Sequence, residues 1–232
     1  MQQLAKVLGT LEKSEDYRLL LEIILAIGNY MNGSTFRGCA NGFSYDILEK
    51  LATVKSSTKN GYTLIHYITE YIEKNHPNLI DFPHRDNLLD DSIYCSRLDL
   101  DFLLSQVNEL DKNLSFVEKE YSQFVSIKDD PFASIFKPFI EKAKKMIVII
   151  KNSSKLVTSS FEKIKKYFVL DSGCTCQEFL GITCKFFNSF DKAINENTER
   201  KQRIQKLNSQ PVSSGNSKGD LDSMISKMKN FN

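Results

Sequence analysis

Glycine and proline are scarce, 10 and 5 in 232 residues, too few for a collagen-like repeat or a Pro/Gly-rich disordered chain. No stretch approaches the roughly 18 uninterrupted apolar residues of a membrane span; the best run, Met146–Ile150, has a lysine on each side. The opening MQQLAKVLGTLEKSED mixes charged and apolar residues at helical spacing and has no signal-peptide pattern. Neither sign of charge dominates: 31 Lys and Arg face 29 Asp and Glu, with a pI near 8.1. That excludes a domain drawn to polyanions, nucleic acid included, by bulk charge. Histidine is rarer still, with only His66, His76 and His84 and no H-E-x-x-H spacing. His66 sits in the helical period TLIHYIT and reads as a packed residue rather than a base. The glycines of GSTFRGCANG are not followed by Lys-Ser/Thr, so they form no P-loop. The five cysteines are Cys39, Cys95, Cys174, Cys176 and Cys184, an odd, scattered set that suits reduced thiols in the cytosol. The C-x-C-x7-C from Cys174 lacks paired knuckles and a nearby histidine, so ordinary thiols are expected and no metal. With no nucleophile–base pair, metal cluster or phosphate cradle in view, no enzyme and no cofactor is expected.

What the chain does have is helical periodicity. Leu4, Leu8 and Leu11, then Leu20, Ile24, Ile27 and Met31, recur at three and four; Ser14 and Asp16 break the pattern, leaving two helices or one with a weak middle. Residues 32–45 have no period and form a loop. A second helical stretch is expected over about Tyr45–Val54, then a turn, then a helix over Tyr62–Lys74 that ends before Pro77. Leu100, Leu103, Val107, Leu110, Leu114, Val117, Tyr121 and Phe124 form a heptad seam. Asp130 and Pro131 read as N-cap and first helical residue. From there Phe136, Ile140, Ala143, Ile147, Ile150, Ser154, Val157, Phe161, Ile164 and Phe168 keep the same alternation. Pro138 should kink this helix or reset its start, and LDSGC should end it. A last helix carries Phe179, Thr183, Phe186, Phe190, Ala193 and Ile204. The expected fold is all-α: an elongated helical bundle with long coiled-coil-like helices and a flexible C-terminal tail.

Charge differs along the two long helices. Residues 81–130 hold 12 acidic and 5 basic side chains, whereas 136–168 hold 9 Lys and 2 Glu. Two antiparallel helices whose flanking charges select each other account for this; an acidic polymer or a membrane surface is the other use for the lysines. From about Gln205 the chain turns to Ser, Asn, Gly and Pro, a linker. Leu221, Met224, Ile225 and Met228 then restore an amphipathic period, a candidate docking segment.

Four motifs, in order, carry a family resemblance: GNYMN (Gly28 to Asn32), RGxAxGF (Arg37 to Phe43), LxKLxxxKS (Leu48 to Ser56) and TLIHYI (Thr63 to Ile68). Locally, Gly28 can end the apolar helix and let another chain approach. Asn29 and Asn32 can satisfy helix-end groups, Gly38, Ala40 and Gly42 keep the loop thin, and Phe43 can anchor it. Together the motifs resemble the formin homology-2 domain, and FFNSFDKAINENTER resembles its closing helix. The resemblance implies that residues 1–205 are the C-terminal half of such a domain, the post and long helices. Residues 206–219 would be a linker and 220–230 an autoregulatory segment of the diaphanous type, with Leu221, Asp222, Met224, Ile225 and Met228 at the motif positions.

It also implies a role for each part. Gly28, Asn29, Tyr30, Asn32, Gly38, Ala40, Gly42 and Phe43 belong to the post that receives the lasso of a partner subunit in a head-to-tail homodimer. Lys55 is the lysine turned to actin, with Lys50 and Lys59 beside it. The parent protein would nucleate and elongate actin filaments at barbed ends in the cytoplasm. It would be held off by its own N-terminal inhibitory domain, released by a Rho-type GTPase and fed by profilin. The lasso and knob are not in the chain, so the fragment is expected to be a monomer. The alternative is a generic helical coiled-coil scaffold binding a helical or membrane partner.

Overall fold

A computed structural model describes residues 1–35, 38–124 and 132–209. They are all-α, and the sole β feature among them is one antiparallel bridge, Lys55–Thr63. No helix among the described residues is long and apolar enough to cross a membrane. Two compact units are present, Met1–Ile194 and Asn195–Asn232.

The first apolar stretch is two helices, α1 (Gln2–Lys13) and α2 (Glu15–Asn32). Ser14 separates them because its hydroxyl accepts the Tyr17 amide at 3.0 Å, an N-cap that restarts the ladder, with Glu15 and Asp16 in the favoured first turn. The stretch expected over Tyr45–Val54 shrinks to α3 (Ile47–Lys50), continued by turns. Four residues suffice to bury Leu48 before the chain reverses. α4 (Leu64–Asn75) stops just before His76-Pro77, as expected. Between Pro77 and Cys95 lie two 3-10 segments (Pro77–Leu79 and Phe82–Asn87) and α5 (Leu88–Cys95).

The long seams become α6 (Leu100–Phe124) and α7 (Phe132–Tyr167). The Asp130-Pro131 start signal lies outside the described residues. Pro138 lies inside α7, which neither ends nor restarts there. The helices run antiparallel, because Glu118 pairs with Lys144 at 3.2 Å and Asp111 with Lys151 at 2.6 Å. The opposite charges of the two segments meet in the hairpin. α7 stops before the LDSGC turn: Val169 is left-handed at φ 49° and the Leu170 amide donates to the Lys165 carbonyl at 3.0 Å. α8 (Cys176–Ser209) opens on a capping box. Thr175 Oγ1 accepts the Glu178 amide at 3.1 Å, and Glu178 accepts the Thr175 amide at 2.9 Å.

The core of the first unit gathers α1, α2, α4, α5, the C-terminal half of α7 and the start of α8. Phe179, Phe186 and Phe190 are fully buried there, as the period predicts, and Phe187, which the period did not include, is buried beside them. One polar chain crosses it: the Tyr17 and Tyr45 hydroxyls are 2.5 Å apart, Tyr45 reaches Thr183 Oγ1 at 2.7 Å, and Thr183 donates to the Phe179 carbonyl at 2.9 Å. Every hydroxyl is thereby satisfied. Burial holds both tyrosines protonated well above the usual phenol range. In the second unit the described residues are the last turns of α8, where Arg203 pairs with Glu199 and Ile204 is 58% exposed rather than a core position.

Candidate functional site

The last turns of α2 carry the first motif. Gly28 does not end the helix, which runs on to Asn32 because glycine weakens a helix without removing a hydrogen bond. A methyl group at Gly28 would meet no atom within 4 Å. Asn29 makes two bonds to one residue of the following loop: Nδ2 donates to the Ala40 carbonyl at 2.9 Å and Oδ1 accepts the Ala40 amide at 2.8 Å. It therefore binds the loop, not a helix end. Asn32 contributes its carbonyl, which accepts from the Thr35 amide at 2.8 Å and its hydroxyl at 2.9 Å. At Gly38 a Cβ would stand 2.9 Å from that same carbonyl, so only glycine fits. At Gly42 a Cβ meets nothing. Ala40 is exposed, and Phe43 packs half-buried on the core, the anchoring role expected of it. Arg37 lies outside the described residues.

Tyr30 and Met31 are 88% and 53% exposed. With Ile23, Ala26 and Ile27 of α2 and Leu64, Tyr67 and Tyr71 of α4 they line an open apolar groove of about 560 Å³. Sequence reading placed Tyr30 here but missed Tyr67 and Tyr71. Their signal was present: two aromatics four residues apart on the solvent side of a helix whose other face is already apolar. His66 fixes that helix's start. Its Nδ1 accepts the Thr63 amide at 3.1 Å while Thr63 caps the His66 amide, and the buried ring stacks on Tyr62 at 5.3 Å. It is a capping residue and a packed one.

The end of α3 and the loop that follows it present the three lysines. Ser56 donates its amide to the Tyr62 carbonyl at 2.8 Å, and Leu64 does the same to Val54. The Ser56 hydroxyl accepts the Lys59 amide at 3.1 Å, and Gly61 supplies a φ of 65°. Lys50 is held by Asp46 at 2.5 Å, which lowers the Asp46 pKa. Lys59 lies 4.6 Å over the Tyr62 ring. Lys55 is exposed and its side chain makes no ion pair or hydrogen bond among the described residues. Leu64 joins the two features, since its amide closes this loop and its side chain lines the groove. The autoregulatory positions Leu221, Asp222, Met224, Ile225 and Met228 lie outside the described residues.

Comparison with known proteins agrees with the motifs. Formin-A of Dictyostelium discoideum is 31% identical over 201 residues, 84% of this chain and 16% of that protein. Protein diaphanous of Drosophila melanogaster is 27% identical over 203 residues, 84% of this chain and 18% of its own. Disheveled-associated activator of morphogenesis 2 of Gallus gallus is 31% identical over 185 residues, 78% of this chain and 17% of its own. The chain thus spans less than a fifth of the length of these curated relatives. The family model described as Formin Homology 2 Domain matches residues 1–191, and the chain belongs to that family.

Proposed function

We propose that residues 1–205 act as the post and long helices of a formin homology 2 domain, the part that binds actin while the domain nucleates filaments and elongates them at barbed ends. The observation that carries this reading is the open groove between α2 and α4, rimmed by Tyr30, Tyr67 and Tyr71. It suits the lasso of a second subunit in a head-to-tail homodimer. One large apolar side chain buried there contributes roughly 1.5–3 kcal/mol, so several are needed to hold a ring. Asn29, Gly38, Ala40 and Phe43 keep the neighbouring loop folded close to α2, and Asn32 takes part through its carbonyl.

Lys55 is the actin-facing charge, because Lys50 and Lys59 already have partners in Asp46 and the Tyr62 ring. In the parent protein the segment 220–230, tethered by 206–219, docks on the N-terminal inhibitory domain until a Rho-type GTPase displaces it. Profilin delivers actin through the parent chain, and the site of action is the cytoplasmic actin cytoskeleton.

The test restores the upstream half of the domain and follows actin assembly by pyrene fluorescence and barbed-end capture. Lys55→Asp is expected to lower barbed-end affinity about tenfold, through lost attraction and added repulsion. Tyr30→Ser is expected to weaken dimerisation in sedimentation. Unchanged assembly with Lys55→Asp overturns the lysine's role. No actin effect of the restored domain at all overturns the whole reading in favour of a helical scaffold.

A further inference from the structure

Thr63 is the joint between the Lys55 loop and α4. It pairs with Lys55 in the antiparallel bridge, and the two bonds of that bridge flank it: the Ser56 amide donates to the Tyr62 carbonyl and the Leu64 amide to the Val54 carbonyl, both at 2.8 Å. The Thr63 amide lies between them and takes no part in the bridge. It donates instead to His66 Nδ1 at 3.1 Å, and the Thr63 hydroxyl stands 2.8 Å from the same nitrogen. At this position a capping box ordinarily has Glu or Gln; here a histidine only 6% exposed fills it. A glutamine always offers its acceptor. A histidine does not, because a protonated imidazole is a donor at both nitrogens.

We propose that His66 is the positioning residue of the Lys55 loop and that its protonation releases the loop. With Nδ1 unprotonated, its lone pair accepts from Thr63 and fixes the residue whose two neighbours grip Val54 and Ser56. With Nδ1 protonated, the Thr63 hydroxyl can turn and accept, but the amide is set by the backbone and is left facing another N–H. The new charge also stands in the first turn of α4, where the helix dipole is positive. Both effects act in one direction: as pH falls through the imidazole range the rungs to Val54 and Ser56 lose their support, and Lys55 between them loses its fixed bearing. The groups around the ring do not reverse this. It stacks on Tyr62, whose hydroxyl already occupies Glu70 at 2.6 Å, and Lys59 lies 4.6 Å over the same phenol ring. Glu73 is exposed, two turns along α4. α2 and the Pro77–Leu79 segment, both packed on α4, bring Ile23, Ile27 and Leu79 to that side of the core, none of them titratable. Weaker actin binding in acid follows from this and rests on the proposed role of Lys55; the hold of His66 on the loop does not.

The test compares the 232-residue chain with its His66→Gln and His66→Leu variants at about pH 7.5 and about pH 5.5, either side of the ordinary imidazole value. Protection of the Ser56, Thr63 and Leu64 amides, normalised to intrinsic exchange, is read by NMR. In the unaltered chain it is expected to fall about fivefold at the lower pH, the effect of one lost hydrogen bond, while the amides of α2 and α8 keep theirs. His66→Gln retains an acceptor at both pH values and is expected to show no fall; His66→Leu is expected to be poorly protected at both. Should His66→Leu fail to fold, the other two chains decide the matter. Equal protection at both pH values in the unaltered chain, or the same fall in His66→Gln, overturns the proposal. With the upstream half restored, acid is expected to lower barbed-end affinity about threefold more in the unaltered domain than in His66→Gln. A loop that opens in acid with no such difference supports the hold of His66 on the loop and overturns the actin role of Lys55 instead.

Discussion

Two stretches of equally regular periodicity meet different fates in this molecule. In α8 the periodic positions Phe179, Phe186 and Phe190 lose all contact with solvent, inside a core they share with residues of α1, α2, α4, α5 and the end of α7. In α6 the seam is at least as regular, yet Leu110 stays 50% exposed, because α7 is the one helix that faces it. Period states which side of a helix wants to be buried. The number of neighbouring layers decides how much of it is.

That contrast predicts a steep gradient of mutational cost. Phe187→Ala, in the surrounded part, is expected to cost about 3–5 kcal/mol in urea unfolding, whereas Leu110→Ala is expected to cost under about 1 kcal/mol; equal costs would mean that the hairpin is as well packed as the core. Tyr45→Phe sharpens the same point with one oxygen atom. It strands the Tyr17 hydroxyl in the core and is expected to cost about 1–3 kcal/mol, with little change in the far-ultraviolet spectrum.

Two glycines test the groove region in opposite directions. Gly38→Ala drives a methyl group into the Asn32 carbonyl and is expected to destabilise by about 1–2 kcal/mol. Gly28→Ala enters open space within a helix and is expected to stabilise by about 0.5–1 kcal/mol. Val169→Gly relieves a left-handed, branched residue and is expected to add about 1 kcal/mol. Smallest is the effect of the thiols. Burial pushes Cys176 up to about 12 and Cys95 up to about 11. Their thiolates form more readily in the unfolded chain, so stability is expected to fall as pH rises past the ordinary thiol value of about 8.5. At pH 8 a thiol reagent should label exposed Cys39 first and reach Cys95 and Cys176 after unfolding.

The helices were legible wherever apolar residues kept their spacing over several turns: α2, α4, α6, α7 and α8 all stand close to where the periods put them. The segment from Pro77 to Cys95 was not, because its helical pieces are three to eight residues long. They are held by contacts distant in sequence, such as Lys6 on Asp91 at 2.9 Å and Arg85 on Asp16. Gly28 misled as a helix end because composition shows a weak residue without showing that the ladder continues past it. Of the candidate site, Gly38 and the exposure of Lys55 could be read from motifs. The groove could not, since Tyr67 and Tyr71 acquire a meaning once α4 lies beside α2.

The two bonds from Asn29 to Ala40 also bear on how the connecting chain can vary. The side-chain amide grips the backbone of Ala40 as one rung of a sheet would, so what looks like a single long connection from Asn32 to Tyr45 is closed twice. Closing a loop costs entropy that grows only slowly with its length. Residues added between Gly33 and Cys39 therefore lengthen one closed circle and leave the other untouched. An insertion between Ala40 and Phe43 has no such slack: it would separate the gripped residue from the aromatic ring that seats the loop on the core.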